Sequence, residues 1–565
     1  MVNTEQTANF SITRKSPSLY LVMMGLWLVI MVGAVPGLWR TYLVLDSIPA
    51  KVLFIPFIVF LVLFWFYGVY HLVLLVFSYL PKIDWGNRAR SLARVQSFSP
   101  RVAVIYTTLN DFNREAAATL LNQDYTNYHV FLLDVSTNPD FRAQVDAFHQ
   151  EHSSTTTLHR LQPRQGFKAR SLNDTLKDAV GPEYEFFAVC DADNYWPVDF
   201  LSRTVPYFLL DEQLGFVQTP PTLTGRSEGN FSKDFESAVD ASWALHQIPR
   251  EKYGLLMCMG HSVVVRREAW EKSGGYPEIV QEDTAFTMAL RRHGYCGLFE
   301  PEVTVGEEFP ENFTSWRRRQ YRLVQADTEI WITQMPAYLK SKAVSLTEKI
   351  DLIARTTRLP AQAITLIYLL LGFPFIPLLN GGGLSAASMD MVFAPLLSPG
   401  LVGITLLLAV APLFPFFVYL RRRPLKIIPF LFHSITLHFT PLGVALASFI
   451  IYVLKGRAMF LVTGAKDGAA VQEQPAGKMR RFIQRLGAES RPVIALDIIA
   501  AIILGWVAIT SGSLVILGIA LVLLMSPLIR RYGWNNSVMS VAAYLPLALI
   551  IAGLVTSLSG GMGAY

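Results

Sequence analysis

The sequence predicts an α/β domain inserted between two blocks of membrane-spanning helices. Hydrophobic residues make up 52% of the 565 residues and charged ones 16%, against about 25% charged in an ordinary soluble domain. Apolar runs close to the ~20 residues that cross a bilayer flank a polar stretch from Ser97 to Gln334. Within that stretch short β-rich runs alternate with helical ones, the pattern of a parallel sheet covered by helices.

The first membrane block, residues 1–96, holds two spans, Leu19 to Trp39 and Val52 to Leu80. The first run is too long for a signal h-region and lacks a small-residue cleavage site, so it predicts an uncleaved segment with a cytosolic N-terminus. Lys82, Arg88, Arg90 and Arg94 follow the second span. Positive charge is retained in the cytosol, which puts the polar domain, residues 97–340, on that side of a plasma or bacterial inner membrane.

Inside this domain Arg101 to Tyr106 reads as a strand, Arg114 to Gln123 as a helix, and Tyr128 to Leu133 and Glu185 to Val189 as further strands. In open α/β sheets the ligand crevice lies at the carboxyl ends of the strands. Asp134 and the Asp191/Asp193 pair are therefore expected to converge there. An Asp-x-Asp after a strand is also an ordinary turn, and the motif alone does not choose between the two.

The ordered set does more. Tyr106-Thr107-Thr108-Leu109-Asn110-Asp111, Gln123-Asp124-Tyr125, Leu133-Asp134, Gly166-Phe167-Lys168-Ala169 with Asn173, Asp191-Ala192-Asp193, Gly274-Gly275-Tyr276 and Gln281-Glu282-Asp283 follow one another through the domain. Together they resemble the family 2 glycosyltransferases, in particular the membrane-embedded branch of cellulose and hyaluronan synthases. The resemblance implies a GT-A (Rossmann-like) catalytic domain and a nucleotide-sugar donor, UDP-linked by family expectation. It implies a donor side formed by Thr107, Asn110, Asp134, Lys168, Asp191 and Asp193, with Asp134 on the nucleobase or ribose. Asp193 is the first choice as ligand of a Mg²⁺ or Mn²⁺ ion and Asp191 the second, because a hard cation held by carboxylates neutralises a departing diphosphate. Asp283 is expected to be the general base for the acceptor hydroxyl, with Glu282 beside it on the acceptor side. Both acids also suit the positive end of a helix over Thr284 to Arg292.

Downstream, Trp316 to Ala326 occupies the place of the family's Q-x-x-R-W signature. Arg322 aligns with the arginine that would contact the diphosphate, and Gln320 stands as an alternative match for the glutamine. Leu323 replaces the tryptophan that would stack on the acceptor sugar, leaving Trp316 and Tyr321 as substitutes. Trp316, Leu323 and Ile330 also recur at helical spacing and fit a packed apolar face; both readings can hold together. Ser345-Leu-Thr-Glu348 is a capping box. Over 341–358 Leu346, Ile350 and Ile353 share one face with Lys349, Asp351, Arg355 and Arg358 elsewhere, which fits an amphipathic interface helix and equally an ordinary helix packed on protein. Residues 359–454 form membrane and interface helices, with spans at Leu359 to Leu379 and Phe393 to Leu420. A re-entrant stretch over Ile427 to Leu454 carries His433, His438, Pro441 and Gly443. Phe460-Leu-Val-Thr463-Gly-Ala-Lys466, in a basic loop over 455–491, resembles the F-x-V-T-x-K gating loop of cellulose-synthase-like enzymes, which implies that Thr463 and Lys466 reach the donor phosphates. Residues 492–565 add three spans, for roughly seven crossings in all. Asp497, near the start of one span, has no role by sequence.

The formal net charge of +6 gathers at the ends of apolar runs, as in Arg421 to Arg423 and Arg530-Arg531, which is topology and gives no sign of nucleic-acid binding. Cys190, Cys258 and Cys296 lack metal or disulfide spacing. The expected partners are a nucleotide sugar, a growing glycan or a lipid-linked acceptor, the bilayer, and accessory export subunits. Two reactions stay open, processive synthesis with export of a polysaccharide and single addition to a membrane lipid. A transporter or receptor that only binds a nucleotide would need no base at Asp283.

Overall fold

A computed structural model describes residues 15–80, 85–162, 167–224, 231, 243–310, 312–372, 374–383, 386–396, 398–421, 424–427, 430–431, 436–437, 439–456, 458, 487, 490–534 and 544–562. Gly166, His433, His438, Thr463 and Lys466 lie outside them. The expected architecture of an α/β domain between apolar helices is the one observed, with a mixed sheet. Its sheet contains β1 (Val102–Thr108), β2 (Tyr128–Asp134), β3 (Thr156–Arg160), β4 (Phe186–Asp191), β5 (Leu214–Gln218), β7 (Val263–Arg266) and β8 (Cys296–Phe299) in the order β3-β2-β1-β4-β7-β5-β8. The first four strands are parallel, β7 runs antiparallel to β4 and β5, and a short parallel pair joins β6 (Pro221–Leu223) to β9 (Val305–Glu307).

Val102 through Tyr106 are all fully buried, because helices cover both faces of the central strand and each side chain must be apolar. One cluster, including Val104, Tyr106, Leu132 and Ala188, fills one face; Ile105, Leu133, Val189 and Leu172 fill the other. Polar residues begin where the strands leave the core. The register sets Thr107 opposite Asp191 and Thr108 opposite Asp134, so residues far apart in sequence share one edge.

β2 and β4 run to Asp134 and Asp191, one residue beyond the expected Leu133 and two beyond Val189, and β1 runs to Thr108, two beyond Tyr106. The helix expected over Arg114 to Gln123 closes at Leu120. Gln123 is a clasp instead: its Nε2 donates to the carbonyls of Thr119 (3.2 Å) and Pro197 (3.0 Å), and its Oε1 accepts from Leu201 N.

Among the described residues four helices are long and apolar enough to cross a membrane: Ser18–Val44, Ile48–Ser78, Arg491–Ser511 and Leu514–Tyr532. Shorter apolar stretches of helix include Pro399–Leu413, Leu442–Lys455 and Tyr544–Gly553. Ser345 caps the helix Leu346–Ile367 through the expected box with Glu348, and that helix continues without a break past residue 358. The stretch expected as an interface helix and the start of the stretch expected as the next span thus lie on one helix. Its polar residues turn inward: Asp351 accepts from Tyr70 Oη (2.6 Å), Arg250 Nε (3.2 Å) and Leu255 N (2.9 Å), tying the second membrane helix to the domain.

Candidate active site

The carboxyl ends of β1 and β4 bring the first acids together. Thr107 Oγ1 donates to Asp191 Oδ1 at 3.0 Å, and the Lys168 ammonium pairs with the same oxygen. Lys168 sits in the first turn of the helix Phe167–Asp178, and its Nζ also donates to the Gly260 carbonyl at 2.9 Å. Burial opposes charge on both partners, yet their attraction prevails: Asp191 is held below its ordinary value and Lys168 above.

Gly260 links this pair to the second group of acids. Its φ is +77°, and a Cβ there would lie 3.2 Å from Asp283 Cβ and 3.5 Å from Glu282 Oε1. Glu282 and Asp283 open the helix Glu282–Arg292, two residues earlier than expected, and Asp283 Oδ1 accepts from Thr284 N. Lys168 therefore stands between Asp191 on one side and Glu282 and Asp283 on the other. Burial, with the Asp283 charge adding to it, pushes Glu282 up to about 7. Arg322 faces the same three acids from the helix Phe313–Thr333, its pKa lowered by burial and by Arg319.

Asp193 occupies a different setting. Asn194 Nδ2 donates to its Oδ1 at 3.2 Å, and among the described residues no side-chain cation forms an ion pair with it. Burial, then the charges of Glu307, Asp191 and Asp111, push its carboxyl well above the usual range. A half-buried carboxylate crowded by like charges is a fit for a hard divalent cation, which relieves that repulsion. Asp193 with Asp191 would hold it.

Other expected positions are engaged elsewhere. Asp134 is fully buried; its Oδ2 pairs with Arg160 Nε at 2.7 Å and its Oδ1 accepts from Ser136 N at 2.8 Å. Asn110, at φ +58°, accepts from the backbone N–H groups of Thr137 (2.9 Å) and Asn138 (2.8 Å). Asn173 braces the Gly274-Gly275 turn, accepting from Tyr276 N at 2.9 Å and donating to Tyr276 O at 2.8 Å. Trp316 stacks on Phe313 among Met525, Ile529 and Leu547. Tyr321 is buried against Val444, Ile451 and Val493, and Leu323 packs with Val324, Ala363 and Ala445. All three thus face the C-terminal helices.

One residue at the site went unsingled in the sequence. His261 lies between Gly260 and Ser262, both at positive φ, with its Nε2 3.9 Å from Glu307 Oε2. A Gly-His-Ser run before a strand is a weak local signal. Arg355, expected on the polar face of an interface helix, reaches Met259 Sδ at 3.7 Å instead and lies near Asp283, Asp327 and Asp351.

Two substitutions test this geometry. Gly260→Ala puts a Cβ at a left-handed position that costs an L-residue roughly 1–2 kcal/mol, and presses it on Asp283; we expect a lower melting temperature and reduced turnover. Glu282→Gln removes a carboxyl whose pKa is raised on folding, so the folded state binds more protons than the unfolded one between about 4.5 and 7. Such a group stabilises at low pH and loses that contribution as pH rises through its folded value. The melting temperature of the parent is therefore expected to fall more steeply from pH 5 to pH 8 than that of Glu282→Gln.

Comparison with known proteins bears on these residues. The family model described as glycosyl transferase family group 2 matches residues 186–463, an interval that contains Asp191, Asp193, Glu282, Asp283 and Arg322. Glucomannan 4-beta-mannosyltransferase 1 of Cyamopsis tetragonoloba is 27% identical over 229 residues, covering 40% of this chain and 44% of that protein. The probable glucomannan 4-beta-mannosyltransferase 11 of Oryza sativa subsp. japonica is 27% identical over 210 residues, 36% of this chain and 37% of that protein. The chain thus spans less than half the length of these relatives. Among solved structures, the mannosyltransferase PcManGT from Pyrobaculum calidifontis, in complex with GDP-Man and Mn²⁺, is 21% identical with a TM-score of 0.37, covering 58% of this chain and 95% of that one. S. aureus TarS is 15% identical with a TM-score of 0.28, covering 52% and 53%.

Proposed function

We propose, from the match of residues 186–463 to the family model described as glycosyl transferase family group 2, that the chain is an inverting, metal-dependent β-glycosyltransferase of the cellulose-synthase-like kind that elongates a polysaccharide processively and exports it through its own helices. The observation that carries this is the single Lys168 side chain, which ties Asp191 to the carbonyl of Gly260, a residue on which an added Cβ would meet Asp283 at 3.2 Å. Donor acids and acceptor base lie within reach of one bond-forming centre.

In this reading Asp283 takes the proton of the acceptor hydroxyl as its oxygen attacks the anomeric carbon. The bond from that carbon to the nucleoside diphosphate breaks, and the electron pair leaves on the phosphate oxygen. A Mg²⁺ or Mn²⁺ ion held by Asp193 and Asp191 would neutralise the leaving charge. Arg322 adds paired N–H donors from the other side, and Lys168 keeps Asp191 ionised and in place. Thr107 orients Asp191, while Asp134 with Arg160 forms the floor toward the base and ribose, where Asn110 shapes the neighbouring loop. Thr463 and Lys466 would close over the phosphates. The catalytic domain would face the cytosol at the plasma or inner membrane, with accessory export subunits as further partners.

A second reading, single addition to a membrane lipid, is favoured by one observation: Trp316 and Tyr321 are taken up in packing, so neither offers a platform for an acceptor sugar. One experiment separates the two. The full chain in lipid nanodiscs is incubated with labelled UDP- and GDP-linked sugars and Mn²⁺ or Mg²⁺, with a mannosyl donor included because both relatives are named as mannosyltransferases. A long glycosidase-sensitive product supports the synthase. A short product extractable into organic solvent moves the reading to the lipid acceptor, and no transfer from any donor overturns both.

A further inference from the structure

The Phe313–Thr333 helix that carries Arg322 on its site face carries a second buried arginine elsewhere. Arg317 is five residues earlier, about 140° around a 3.6-residue helix, and is 1% exposed. Its Nη2 pairs with Asp497 Oδ2 at 2.9 Å, and its Nη1 donates to the Thr440 carbonyl at 2.9 Å and to Ser526 Oγ. Ser526 Oγ donates in turn to Asp497 Oδ2 at 3.0 Å. Asp497 belongs to the apolar helix Arg491–Ser511 and Ser526 to Leu514–Tyr532. The helix Leu442–Lys455 supplies the remaining wall: a Cβ on Gly443 would lie 2.0 Å from Asp497 Oδ1, so only glycine admits that carboxylate.

Stability does not account for such a pair. A buried ion pair is commonly matched or bettered by apolar residues of the same volume, and Asp497 Oδ1 has no hydrogen-bond partner among the described residues. A directional, charge-specific contact does fix register, which apolar packing leaves free to slide. Ionisable groups inside membrane helices are costly and mark function.

We infer that Asp497, acting through Arg317, is a positioning residue: it pins the depth and rotation of the Phe313–Thr333 helix against the membrane helices and so sets Arg322 at the donor diphosphate. This rests on the donor role proposed above for Arg322. A small displacement of that guanidinium weakens its grip on phosphate while leaving the fold intact.

The test measures binding of UDP and of GDP, each with Mn²⁺, by calorimetry on the full chain in nanodiscs. Arg322→Ala is expected to weaken binding of at least one nucleotide. Arg317→Met with Asp497→Leu, which replaces the pair by apolar groups, is expected to keep its melting temperature and yet raise Kd about tenfold. On the Arg322→Ala background the same pair of changes should cause no further loss. Arg317→Lys, which keeps charge and loses the fork, and Gly443→Ala, which pushes a methyl at Asp497, should shift Kd in the same direction and decide the matter if the apolar pair does not fold. Unchanged binding in the folded Arg317, Asp497 or Gly443 variants, or an undiminished further loss on the Arg322→Ala background, overturns the positioning role. Unchanged binding in Arg322→Ala overturns the donor role instead.

Discussion

Asp283→Asn is expected to lower turnover by roughly 10²–10⁴-fold, the range that a positioned general base contributes, while nucleotide binding stays close to that of the parent. The amide is nearly isosteric with the carboxylate, and its oxygen can still accept from Thr284 N, as Asp283 Oδ1 does. The helix start at Glu282 therefore survives, and what is lost is the capacity to take a proton. Glu282→Gln provides the contrast, since it leaves Asp283 in place and should retain most turnover. Labelled sugar transfer and nucleotide calorimetry on the same preparations check both. Full turnover in Asp283→Asn would remove Asp283 as the base of the mechanism.

Asp193→Asn is expected to cost roughly 10²–10³-fold in turnover, the scale of one lost electrostatic contact to the developing charge, and to weaken Mn²⁺ binding in the presence of nucleotide. Its effect on the metal-free fold runs the other way. Burial and the charges of Glu307, Asp191 and Asp111 all disfavour ionised Asp193, so a neutral amide removes a repulsion present near neutral pH. The melting temperature of the metal-free variant should therefore equal or exceed that of the parent. Electron paramagnetic resonance of bound Mn²⁺ and thermal melting with and without chelator read these two outcomes separately. A variant that lost both turnover and stability would mark Asp193 as a structural carboxylate.

The acids of the site were legible as an ordered set that resembles a family pattern, since an Asp-x-Asp after a strand is by itself an ordinary turn. Periodicity and capping placed Asp134, Asp191, Glu282 and Asp283 within two residues of strand ends and a helix start. The capping box at Ser345 and the four long apolar helices follow from the same short-range patterns. Residues with two possible uses were not resolved this way. Asn173 sits within a site motif but braces the Gly274-Gly275 turn. Trp316 and Tyr321 carry rings suited to a sugar yet bury them among the membrane helices. Periodicity set Arg355 on a polar helix face but not what that face meets, and His261 gave no periodic signal, because nothing in their neighbours along the chain distinguishes a side chain that enters the cleft from one that leaves it.

Sequence by itself determined the fold class and, to within two residues, the strand ends near Asp134 and Asp191 and the helix start near Glu282 and Asp283, since these depend on interactions within a few residues. Tertiary structure alone decided that Thr107 meets Asp191 across the register of β1 and β4, that Lys168 spans from Asp191 to Gly260, and that Arg317 is held by Asp497 and Ser526. Each of those contacts joins segments tens to hundreds of residues apart. Their geometry is set by how the sheet and helices pack as whole bodies, which no stretch of the chain encodes alone.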